Sequence, residues 1–169
     1  MPFETPARAD ECGDLKVPGY TATRLFGPLR LKVTVSPEAE RIESADGHVE
    51  IKKDGKHYII NYVSKEVGII PDSGPADLEN VKKGSMYADR VPVGDLTQVT
   101  IGFKTPEGNK EWLSAVRCRP DGIFVEERIR TPKGTMITKQ VDIKPGPVPA
   151  DAFEVPSDYK RVDVPPPPQ

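Results

Sequence analysis

LTQVTIGFKTPEGNKEWLSAVRCRPDGIFVEERIRTPKGTMITKQVDI, residues 96–143, reads as four strands joined by three short turns. The turns are Thr105-Pro106-Glu107-Gly108-Asn109, Arg119-Pro120-Asp121-Gly122 and Pro132-Lys133-Gly134. Proline presets the first turn position and glycine accepts the left-handed one, so each cluster reverses the chain at a defined place. Period two then puts Val99, Ile101 and Phe103 on one face of the first strand, and Trp112, Val116 and Cys118, with Ser114, on one face of the second. Ile123, Val125 and Ile129 with Glu127, and Ile137, Val141 and Ile143 with Lys139, continue that face. Lining up the turns predicts rows across the sheet: Phe103–Trp112–Ile129–Ile137, Val99–Val116–Val125–Val141 and Ile101–Ser114–Glu127–Lys139. The last row sets Glu127 opposite Lys139. It is either a cross-strand ion pair near a sheet edge or a polar spot in an open apolar cavity.

Strand signals extend toward the N-terminus. Met86 to Val93 contains Pro92, which suits an edge. Asp54-Gly55 is a strong two-residue turn, which pairs Lys53 with Lys56, Ile51 with Tyr58 and Val49 with Ile60. His57 then falls opposite Lys52, and at ~3.3 Å per residue the two histidines stand ~13 Å apart. They cannot share an ion and read as solvated surface groups. Leu29 to Val35 and Tyr20 to Phe26 are further strands, the Glu-rich Ala39 to Ala45 is a strand or equally a helical turn, and residues 76–83 form the best helix candidate, ended by Gly84. The fold class is therefore mainly β: an antiparallel sheet with one short helix or lid. Residues 1–18 are a Pro-punctuated arm, residues 19–162 the domain, and residues 163–169 a Pro-rich tail.

The 169 residues suffice for one domain with a core. A net charge of −2 from well-mixed signs argues against nucleic acid as the main partner. No stretch approaches the ~20 apolar residues of a membrane span. The start, Met1-Pro-Phe-Glu-Thr-Pro6, lacks the apolar region of a signal peptide, which leaves a cytosolic protein or a mature form with an added methionine. Cys12 and Cys118 would, if bridged, tie the arm to the sheet and close a loop of ~100 residues; otherwise they are free thiols, one of them apolar filler. No histidine stands beside a candidate nucleophile, no glycine cluster has a strand–loop–helix setting, and no cofactor is called for. Asp72, Asp77 and Glu79 could bind calcium weakly but lack EF-hand spacing.

Gly19-Tyr-Thr-Ala-Thr23, Gly55-Lys-His-Tyr-Ile-Ile60 and Val141-Asp-Ile-Lys144, followed by Phe153-Glu-Val-Pro-Ser-Asp-Tyr-Lys-Arg-Val162, resemble the LolA/LolB-like superfamily of bacterial cell-envelope proteins. The closing Phe153, Glu154, Val155, Pro156 and Tyr159 carry most of the resemblance. It implies a curved antiparallel half-barrel of about ten strands and a periplasmic location after signal removal. It also implies a concave face that holds a lipid or a lipoprotein acyl chain. The wall of such a face would be Tyr58, Ile60, Tyr62, Phe103, Trp112 and Ile129, with Ile101, Ser114, Glu127 and Lys139 as its polar row. A self-filled barrel serving as an accessory subunit for an envelope partner is the other reading.

Overall fold

In the computed structural model, Asp54 and Gly55 take φ of 54° and 71°, the positive values that a two-residue hairpin turn requires. The hairpin they close has the expected register: Val49 opposite Ile60, Ile51 opposite Tyr58, Lys53 opposite Lys56. The structure describes residues 11–71 and 85–163. The helix candidate at 76–83 and the acidic group of Asp72, Asp77 and Glu79 lie outside them.

The strands are β1 (Tyr20–Phe26), β2 (Leu29–Val35), β3 (Glu40–Glu43), β4 (Val49–Lys53), β5 (Lys56–Asn61) and β6 (Glu66–Pro71), then β7 (Met86–Val93), β8 (Leu96–Lys104), β9 (Lys110–Cys118), β10 (Phe124–Thr131), β11 (Gly134–Pro145) and β12 (Lys160–Asp163). They form one open, curved sheet of twelve strands in the order β12-β6-β5-β4-β3-β2-β1-β11-β10-β9-β8-β7. Among the described residues the strand count exceeds the expected ten, and the sheet is open rather than closed into a barrel. Two meanders, β1–β6 and β7–β11, join where β1 pairs antiparallel with β11. β12 adds to β6 in parallel. β7, with Pro92, is an edge as its sequence indicates.

Directly opposed residues share a face, and neighbours along a strand alternate. Following the ladder from Val33 gives Ile42, Glu50 and Ile59, whereas following it from Val49 gives Glu43 on one side and Ile60 on the other. Buried Val33 and buried Val49 therefore point to opposite sides, and the sheet has a core on each. On one side, here called the arm face, Leu15 and Val17 of the N-terminal arm pack on Tyr20, Ala22, Val33 and Ile123. Cys12 packs beside Val99, Val116 and Phe124 and is disulfide-bonded to Cys118. On the other, the tail face, a 3-10 turn at Ala150–Phe153 sets Phe153 against Val49, Ile51, Tyr58, Ile60 and Val67. Arg41 donates to the Ala152 carbonyl from the same side, at 3.2 Å.

Three irregularities reset the alternation in the second meander and at its junction with the first. The β9–β10 register shifts between Phe124 and Glu126, so Phe124 and Glu127 are buried on the same side. The β8–β9 register shifts between Ile101 and Gly102. Gly102 is required there, because a Cβ would lie 2.1 Å from the Glu111 carbonyl oxygen. The β1–β11 register shifts between Thr21 and Thr23, beside Asp142 at φ 52°.

Candidate functional site

These irregularities redraw the expected rows. Val99 opposes Val116 and Ile101 opposes Ser114, as anticipated. Beyond them Val116 meets Glu127 rather than Val125, and Glu127 meets Thr138 rather than Lys139. The Glu127–Lys139 pair does not exist: Lys139 is on the tail face opposite Glu126, 3.9 Å from its carboxylate. Trp112 opposes Gly102, out of phase with Ile101 and Ser114, and Phe103 opposes Glu111. Thr138 and Gln140 are buried while Ile137 and Val141 are exposed, the reverse of the expected parity.

The proposed wall is thereby divided between two faces. Tyr58 and Ile60 are on the tail face under Phe153, and Tyr62 stacks edge-on against Tyr159 at 5.9 Å. Ile101, Phe103, Ser114, Glu127 and Ile129 remain together on the arm face.

A buried polar cluster explains the inverted parity of β11. Tyr20 and Ala22 face the arm, so period two turns Arg24 inward as well, where it is 4% exposed. Arg24 Nη2 donates to Glu40 Oε1 at 2.6 Å and to Gln140 Oε1 at 2.8 Å, and Nε donates to the same Gln140 oxygen at 3.1 Å. Gln140 Nε2 donates to the Phe124 carbonyl at 2.7 Å and to the Tyr20 hydroxyl at 3.2 Å. Lys52 Nζ stands 3.8 Å from the second Glu40 oxygen, and the guanidinium lies over the Phe124 ring at 5.3 Å. Burial opposes the charge on Arg24, but Glu40, aided by Tyr20 and Glu127, outweighs it and holds the pKa above its ordinary value. A buried arginine needs acceptors, and Gln140 supplies one only by turning inward. Sequence reading misses Arg24, Glu40 and Gln140. The signal available is the phase of Tyr20 and Ala22.

One end of the arm face, beside the hairpin turns, is apolar and half open. Met86 opposes Phe103, Ile129 opposes Met136, and Phe26 opposes Leu29. Leu29 is 52% exposed, Met136 42% and Met86 37%, with Phe26, Ile101, Phe103 and Ile129 half-buried beside them. The band runs along one margin of the sheet across both meanders. Buried Glu127, Thr138 and Arg24 lie directly behind it. At mid-sheet the arm is pinned by Ser114 Oγ donating to Glu11 Oε1 at 3.1 Å and by Arg90 donating to the Glu11 carbonyl at 3.1 Å. From there it runs toward the other end, where Lys16 N donates to the Asp121 carbonyl at 2.9 Å.

The histidines are separate, as expected, but are not both solvated. His48 is exposed and contacts Asp46 at 2.9 Å, whereas His57 is largely buried with Nδ1 3.0 Å from Glu50 Oε1. The bond from His57, with help from Lys52, lowers the Glu50 pKa against the opposing effect of burial. A carboxylate depressed in the folded state contributes stability above its unfolded pKa of ~4.3, lost as the pH falls through the lower folded value. The stability difference between the wild type and Glu50→Gln, from urea unfolding, is expected to narrow as the pH is taken down through that window. A difference that stays constant would show that the bond contributes no proton-linked stability. Among the described residues no group of three or more His, Cys, Asp or Glu side chains could hold a metal ion, and no helix is long and apolar enough to cross a membrane.

No family model matches the chain, and no curated protein matches it. Among solved structures it is similar to an uncharacterized conserved protein from Thermus thermophilus, with a TM-score of 0.56 and 14% identity over 94% of this chain and 96% of that one. At that identity the likeness shows a shared fold and carries no activity across.

Proposed function

We propose that the protein is a non-catalytic binding protein of the bacterial cell envelope that takes an apolar group, a lipid or a lipoprotein acyl chain, against the open end of its arm face. The observation that carries this reading is the band of Leu29, Phe26, Met136, Ile129, Phe103 and Met86. Large apolar side chains left half exposed side by side mark a binding surface more often than a solvent face. Unbranched Met86 and Met136 suit a ligand of variable shape. The superfamily resemblance of the sequence points the same way. A periplasmic location agrees with the Cys12–Cys118 disulfide, since such bonds persist in oxidising compartments.

The test is native mass spectrometry of freshly purified protein against its denatured mass. An adduct lost on denaturation, of lipid mass, is expected. In the Leu29→Glu, Met136→Glu double variant, whose changes fall on exposed side chains, its occupancy should drop roughly tenfold or more, since each buried methylene contributes ~0.8 kcal/mol. A wild type without adduct that also takes up no added fatty acid would end the carrier reading. It would favour the accessory-subunit reading, for which the closure of Tyr58 and Ile60 under Phe153 already speaks.

A further inference from the structure

The C-terminal segment packs on the tail face over β3–β6. Over β2, β1, β11, β10 and β9 the same face carries a different surface. Arg117, Glu126, Lys139, Leu25 and Arg30 follow one another across the ladder. Beside them run Val141, Thr23 and Lys32, then Ile137 and Arg128, and Lys144 stands opposite Thr21. Arg30, Lys32, Arg128, Lys139 and Lys144 are exposed, as are Ile137 and Val141, at 39% and 36%. The acidic groups among them are few. Glu126 is held by Arg128 at 3.2 Å, Glu43 by Arg41 at 3.1 Å, and Asp142 sits in the bulge. A chain with 24 Lys and Arg against 26 Asp and Glu thus gathers an excess of cations on one sheet face.

From this charge pattern we infer that the tail face of β2–β1–β11–β10 docks on a membrane surface of anionic phospholipid. Long cationic side chains reach phosphate headgroups while their stems, with Leu25, Ile137 and Val141, cover apolar surface at the headgroup boundary. Each Lys or Arg near such a surface adds to the attraction, and salt screens it. The spread of separate point charges over β2, β11 and β10 suits a fluid array of headgroups better than one acidic peptide. This inference is independent of the apolar band, which lies on the opposite face. Together the two would let the protein rest on a bilayer with its arm face turned away from it.

Vesicle flotation tests it. The wild type should float with vesicles of phosphatidylethanolamine and phosphatidylglycerol, less so at high salt, and should not float with phosphatidylcholine alone. The Lys32→Glu, Arg128→Glu, Lys139→Glu variant, checked for folding by circular dichroism, should bind the anionic vesicles roughly tenfold more weakly or worse. Lys16→Glu with Lys133→Glu, on the arm and at the β10–β11 turn, should bind as the wild type does. Equal flotation with neutral vesicles, unchanged binding of the triple variant, or an equal loss of binding in the Lys16, Lys133 variant would overturn the inference. Retention on an immobilised acidic peptide without vesicle binding would overturn it in favour of a protein partner.

Discussion

Removing the Cys12–Cys118 bridge, by reductant or as Cys12→Ala with Cys118→Ala, is expected to lower the unfolding free energy by about 4–5 kcal/mol. The bridge spans 106 residues and so constrains the unfolded chain over most of its length. In the native state its removal changes less, since Leu15 and Val17 keep their packing and Glu11 its bond to Ser114. The effect therefore belongs mainly to the unfolded ensemble. This gives the measurement a second signature: the reduced unfolded chain is more expanded, so the slope of the urea transition should rise as the midpoint falls. The alanine pair should be indifferent to reductant. A wild-type midpoint that reductant does not move would mean that the arm is held by its packing alone.

Arg24→Met should destabilise by about 3–5 kcal/mol, the cost of taking the nearest counter-charge away from a buried carboxylate. Glu40 would lose its 2.6 Å bond from Arg24 Nη2, and Gln140 would lose both of its guanidinium donors. Methionine nearly fills the volume, so the loss is electrostatic rather than a cavity. Pairing it with Glu40→Leu should recover a large part, because replacing both partners by apolar groups of similar volume is often close to neutral. The double-mutant cycle from urea unfolding isolates that coupling. A single variant costing under ~1 kcal/mol, or strictly additive effects, would show that the cluster is not a structural unit.

The hairpin of β4 and β5 is readable to the residue because Asp54-Gly55 sets the register locally. The meander is not. Its strands and turns lie where the sequence puts them, but the shift at Phe124/Glu126 changes which side chains share a face, and alternation has no mark for it. The run Ile123-Phe124-Val125 followed by Glu126-Glu127 is the one hint, since a strict alternation cannot bury both Phe124 and Glu127. Thr138 and Gln140 look like solvent residues and are not, because Arg24, 116 positions from Gln140, needs an acceptor. That requirement belongs to the pair and to neither strand alone. For the same reason sequence reading sets Tyr58 and Ile60 on the face of Phe103. Each strand is amphipathic as read, but the two ends of the chain decide which side becomes core. The closing segment of the sequence contains Phe153, which covers the tail face over β4, β5 and β6. The parallel pairing of β12 has no local signature.

The junction of β1 with β11 has a consequence for assembly of the chain. The six strands β1–β6 can zip up by short hairpins as soon as they exist, which is fast because every pairing is local. Until residues 134–145 are available, however, β1 presents an unpaired edge with Tyr20, Ala22 and Arg24 uncovered. Such an edge is the kind of surface on which nascent or newly translocated chains pair with one another. The second meander is thus its own chain's protection for the first. A truncation that removed β11 would delete far more than one strand's worth of order: it would leave a half-sheet with a sticky margin and a buried arginine without its glutamine.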